Sequence, residues 1–211
     1  MRNLYPLTAR AEVEADIARA AAAAEQNRHP SGIGFTDLYM VETPSTGYAD
    51  LGLTLARAEA ALAPILPRVR RFNATVFSAM GGGGQDPFGS YDDDAWCFGL
   101  GAHCYVKLDA KGPLVDGIWF DLNTDDADAI ARLRRAMEAI DAIAPSVVAD
   151  YFLDFSGPVA EAGTLDHYFA ELEESRRNAE RAMLEYRAGD GQRAQPPGLI
   201  RKLFAIFGRA P

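Results

Sequence analysis

Cysteine is nearly absent from this chain of 211 residues, with Cys97 and Cys104 as its two examples. They fall on one expected strand, roughly 20 Å apart along it and on opposite faces, so no bridge can join them. Two isolated thiols suit a reducing cytoplasm, where both read as small buried hydrophobes. Histidine is as scarce, and His29, His103 and His167 lie far apart with no HExxH, CxxC or GxSxG around them. Neither a metal nor any other cofactor is therefore expected. Lys107, Lys111 and Lys202 are the lysines among 21 basic residues, an arginine bias that fits a GC-rich bacterial genome. No apolar run is long enough to cross a bilayer. The opening MRNLYPLTARAEVEAD lacks the apolar stretch of a secretory signal.

Positive charge is in short supply too. The net charge is −9, and residues 193–211 contribute +4 through Arg193, Arg201, Lys202 and Arg209. Residues 1–192 therefore carry −13, which is −9 with the tail's +4 set aside. An acidic body repels nucleic acid, whose binding rests on phosphate contacts, and steers basic partners towards itself.

Pattern, in contrast, is plentiful. Residues 96–123 read WCFGLGAHCYVKL, DAKG, PLVDGIWFDLN, two extended runs around a turn in which Gly112 takes the left-handed position. Closing that turn with Leu108 opposite Pro113 sets His103 across from Ile118 and Gly101 across from Phe120. Gly99, Gly101, His103 and Tyr105 then share one face. Both faces hold apolar residues, so the hairpin belongs inside a sheet covered on both sides, by helices or by a second copy of the chain.

The remaining elements follow from periodicity and punctuation. Thr8 caps a helix over residues 9–27 whose apolar side is mostly alanine. Residues 35–43 (FTDLYMVET) read as a strand, 48–70 as a helix disturbed at Pro64 and Pro67, and 73–80 as a second strand. After the hairpin, Asn123 or Thr124 caps an amphipathic helix that Pro145 ends. Residues 146–155 make the last strand, and Thr164 caps a helix reaching about residue 188. This order resembles, in topology, a ferredoxin-like α/β sandwich. The class is α+β, with a mixed or antiparallel sheet of about five strands, helices packed on it, and extra N- and C-terminal helices. The expected division is an N-terminal helix and linker (1–32), the core domain (33–160), a helical arm (161–190), and a linker with a basic amphipathic tail (191–211).

Candidate chemistry is thin. Gly81, Gly82, Gly83 and Gly84 follow a strand but precede Gln85, Asp86 and Pro87, without the lysine or helix start of a phosphate loop. Asp92, Asp93 and Asp94 lack the alternating spacing of an EF-hand loop. Glu42, Asp121 and Asp154 sit at strand ends, where they can converge with His103 or His167 on a metal or acid–base site, and the catalytic alternative also takes in Asp116. His167, in a first helical turn, is expected to face solvent. Gly99 and Gly101 mean that something packs close to the strand, a helix being the expected occupant. In the tail, Leu199, Leu203, Phe204 and Phe207 leave an apolar face for the body, a protein partner or a membrane surface.

Two functions fit these features. The first is a non-catalytic, acidic protein-binding module that takes a basic protein partner, as an inhibitor or toxin-neutralising immunity protein does, with Asp92, Asp93, Asp94 and the tail as its contacts. The second is a small enzyme or ligand-binding domain with a pocket under Gly81–Gly84, lined by His103, Tyr105, Asp116 and the strand-end acids.

Overall fold

The computed structural model describes residues 2–29, 36–37, 39–72, 92–101 and 103–188. In chain order they form β1 (Arg2–Pro6), α1 (Arg10–Gln26), α2 (Leu55–Leu62), β2 (Arg68–Phe72), β3 (Asp92–Gly101) and β4 (Cys104–Lys111). There follow β5 (Leu114–Leu122), α3 (Ala127–Ile143), β6 (Ser146–Asp150), β7 (Phe155–Pro158) and α4 (Thr164–Ala188). The strands make one seven-stranded sheet in the order β2-β3-β4-β5-β1-β6-β7, every neighbouring pair antiparallel. The α+β class holds. The five-stranded ferredoxin-like sandwich does not.

Three local causes account for the difference. RNLYP, too short to show a period, forms β1 and lies inside the sheet between β5 and β6. The long run through 96–108 folds back at His103, so the expected hairpin is three strands. Gly101, at φ 139°, and a register shift between Gly99 and Gly101 permit that reversal. Residues 146–155 break in the same way. The Asp150 carboxylate accepts from Phe152 N–H at 2.9 Å, and Asp154 takes φ 53°, so the chain turns from β6 into β7.

Gly112 is left-handed as expected (φ 61°), but the strands close more tightly around it, with Lys111 opposite Leu114 and Leu108 opposite Ile118. Thr54 starts α2 by accepting from Arg57 N–H at 3.2 Å, and the helix ends at Leu62, well short of residue 70. Residues 68–72 pair with β3 instead. Of the strand expected over 35–43, the described residues join no ladder. The strand expected over 73–80 lies outside the described residues.

One face of the sheet carries the main core. Leu4, Phe98, Val106, Leu108, Ile118, Phe120 and Val148 meet side chains of α2, α3 and α4 there. In α3, Leu133, Met137 and Ile140 recur at helical spacing and are fully buried, each contributing roughly 1.5–3 kcal/mol. Leu165, Tyr168 and Leu172 bring the first turns of α4 into the same core. The other face receives α1 through Val13 and Ile17, which pack on Ala149, Tyr5 and Tyr151. Beside them Phe72, Tyr105 and Trp119 stack edge to face, with centroids 5.4–5.6 Å apart.

Candidate functional site

The strongest concentration of buried charge lies at one end of the sheet, where β1 begins and β5 and β6 finish. Antiparallel pairing sets Arg2 against Asp150. Its guanidinium donates to Asp150 Oδ2 at 3.0 Å and to Asp121 Oδ1, and stands 5.3 Å from the centre of the Phe152 ring. The Asp150 side chain is completely buried and also accepts from Tyr168 Oη at 3.2 Å. Burial pushes Asp121 above the usual carboxylate range, although Arg2 and the Leu122 N–H pull it down. Burial works against the Arg2 cation, but Asp150, Tyr168 and Asp121 outweigh it and hold the guanidinium above its ordinary range. Burial and the neighbouring Asp150 charge likewise raise the Tyr168 hydroxyl. Each charge faces an opposite charge or a donor, the condition under which buried ions persist.

A second buried carboxylate stands on the other face. Asp16 lies on the α1 stripe between Val13 and Ile17 and is 2 % exposed. It accepts from Tyr151 Oη at 2.7 Å, from Arg19 at 3.1 Å, from Glu42 N–H at 3.3 Å, and from Tyr39 Oη. Burial alone would raise its pKa, but these donors prevail and hold the carboxyl below its usual range. Tyr5, whose hydroxyl receives the Asn3 amide at 3.1 Å, packs on the same small cluster as Tyr151.

The residues singled out from sequence scatter over this frame. Asp121 joins Arg2, and Asp154 lies in the β6–β7 turn at the same end of the sheet. His103 is also at that end, exposed in the β3–β4 turn, its carbonyl taking the Asn123 N–H at 2.8 Å. Asp116 is exposed near the other end, where Gly117 faces Asp109, roughly 20 Å along the strand from His103. Tyr105 is buried in the aromatic cluster, and burial pushes its hydroxyl well up. Glu42 is exposed and paired with Arg19 at 2.8 Å. His167 faces solvent, as expected, and meets Glu171 at 3.1 Å.

The neighbour crowding Gly99 is a strand, not a helix. A Cβ at that position would stand 2.6 Å from both the Cys104 carbonyl and the Tyr105 Cβ in β4. Gly101 has open space at the same test, and its φ is what requires glycine. Cys97 and Cys104 are buried in different clusters, and burial raises the Cys104 thiol to about 11, far from a thiolate nucleophile. Asp94 is exposed in β3 beside Arg70 at 3.4 Å, and Asp92 and Asp93 lie in the same strand. Phe72 faces Asp92 at the end of β3 remote from His103. Gly81–Gly84 and the tail residues Leu199, Leu203, Phe204 and Phe207 lie outside the described residues.

The key members of both networks (Arg2, Asp150 and Tyr168; Asp16, Tyr39 and Tyr151) escaped sequence reasoning. One signal was available: Asp16 interrupts the apolar stripe of α1, and an acid there needs donors. Among the described residues, no three of His, Cys, Asp and Glu gather as metal ligands would, and no helix is long and apolar enough to cross a membrane. No family model matches the chain, and neither curated proteins nor solved structures give a match, so no relative lends these residues a role.

Proposed function

We propose that this chain is a non-catalytic, acidic protein-binding module of a bacterial cytoplasm that takes a basic protein partner, in the manner of an inhibitor or immunity protein. The observation that carries the reading is how its ionisable groups are disposed. Arg2, Asp121, Asp150 and Asp16 are held by one another or by tyrosines, which suits stability more than turnover. Outward carboxylates such as Asp116 and Asp125 have no ion-pair partner among the described residues and remain available to cations.

The test is affinity purification of tagged full-length protein from its own cells at low and high salt. A stoichiometric basic protein, released as salt rises, is the expected result. A lone protein carrying a bound metabolite or metal overturns the proposal. That outcome would favour the second reading, a small enzyme or ligand-binding domain. Its support is the raised Asp121 carboxyl at the sheet end that also bears His103, since perturbed acids gather at functional sites. Asp121→Asn would then abolish ligand binding in a chain that still folds.

A further inference from the structure

We propose that residues 39–45 form a strap that is latched onto α1 by the carboxylates of Asp16 and Glu12 and opens as a unit, independently of the sheet. The strap has no helix or strand and joins no ladder. Side chains and two backbone amides of the strap tie it down. Tyr39 Oη and Glu42 N–H donate to Asp16, while the Ser45 N–H and hydroxyl donate to the two Glu12 oxygens at 2.8 and 2.6 Å. Arg19 completes the clasp with Tyr39 Oη at 3.2 Å and Glu42 at 2.8 Å.

The spacing makes this a designed fit between two different chain forms. Positions 39, 42 and 45 recur every third residue, as one side of a threefold extended chain does. Glu12, Asp16 and Arg19 recur at the four- and three-residue steps of one helical face. Between the anchors Met40 is held out, 80 % exposed, so the strap gains little from apolar burial.

Opening costs few contacts. No ladder hydrogen bond breaks, and Asp16 keeps Tyr151 at 2.7 Å and Arg19 at 3.1 Å, so the buried charge is not abandoned. Just beyond the strap the chain is pinned. Tyr48 is 1 % exposed and its hydroxyl meets Ser146 Oγ at 2.8 Å, while Gly47 N–H meets Asp50 at 2.8 Å. The pinned residues make a hinge. Segments secured by a few exposed polar bonds open before the strands of a core. An open strap frees the exposed Glu12 and Glu42 carboxylates from Ser45 and Arg19 and uncovers the side of Asp16 that the strap had closed.

Hydrogen–deuterium exchange of the full chain tests this with Tyr39→Phe, a substitution on a partly exposed ring that leaves the core intact. Peptides covering 39–45 should be protected in the parent protein and exchange roughly tenfold faster in the variant, as expected for losing a hydrogen bond to a charged acceptor. Peptides from β4, β5 and β6 should not change. Ser45→Ala should produce a smaller acceleration in the same peptide. A strap with no protection in the parent protein, or no acceleration in Tyr39→Phe, removes the latch. Equal acceleration of strap and core removes the independence.

Discussion

The face of the sheet under α2, α3 and α4 and the face under α1 bury their acids by different means. On the first, Asp150 is completely buried and is neutralised by a full cation, Arg2, with Tyr168 as a further donor. On the second, Asp16 lies among tyrosines that solvate it with neutral hydroxyls, and its one cation, Arg19, is half exposed. An ion opposite an ion in an apolar setting is unforgiving, because removing either partner strands the other. A carboxylate with four donors degrades by steps, the first lost bond leaving three. The first arrangement suits a rigid centre, and the second suits a surface whose parts come and go.

Arg2→Met breaks the first arrangement and carries the largest expected effect. It leaves Asp150 and Asp121 buried without their cation, and urea denaturation should show a loss of about 3–5 kcal/mol. Tyr151→Phe is the matching lesion on the other face. One donor to a charged acceptor disappears while three remain, so about 1.5–3 kcal/mol should be lost in the same assay. If Tyr151→Phe proved as damaging as Arg2→Met, the distinction between the faces would fall. Gly99→Ala probes the join between β3 and β4, where the added carbon overlaps the Cys104 carbonyl. A thermal scan should register about 1–3 kcal/mol of destabilisation.

Acid titration sharpens the contrast because the two carboxylates have opposite signs. Asp16 is held below its ordinary 3.8, so it stabilises the fold above that pH and the benefit is lost as pH falls through its folded value. Asp121 is raised above 3.8, so its proton is bound more tightly in the folded state. Stability from that proton is present below 3.8 and is lost as pH rises through the folded value. Urea midpoints measured against pH should therefore lose part of their acid-side fall in Asp16→Asn. In Asp121→Asn they should lose a decline that sets in as pH rises past the ordinary carboxylate value of 3.8. The smallest effect belongs to the exposed Glu173–Arg177 pair on α4, 3.3 Å apart, whose disruption by Arg177→Gln should cost about 0.5 kcal/mol or less.

Much of this frame was legible in the residues. The aromatic, branched runs around Gly112, the helix stopped by Pro145 and the helix started at Thr164 were all visible as period and punctuation. What escaped was set by distant partners. β1 has five residues, one of them proline, and becomes a strand because β5 and β6 lie on either side of it. Residues 39–43 have the branched and aromatic composition of a strand, but α1 offers them carboxylates where a sheet would offer a ladder. At the candidate site, Asp121 was visible as a strand-end acid. Arg2 was not, since nothing in MRNLYP announces a partner 148 positions away. Of the acids that the sequence suggested would converge, strand direction brings Asp121 and Asp154 to the end that also bears His103 and leaves Asp116 near the other.

The interior position of β1 has a consequence for how the molecule comes to be. Arg2 finds Asp150 across 148 positions, and Asn3 faces Trp119, so the sheet cannot close around β1 until both later strands exist. A chain growing from its N-terminus makes this strand before either partner and must leave it unpaired until β5 and β6 follow. High sequence separation of this kind slows folding and lengthens the time that unpaired backbone is exposed. The helix that follows β1 at once can form locally and shield it in the interval. Swapping β1 to the C-terminal end, beyond its partners, should hasten refolding and leave the finished sheet unchanged.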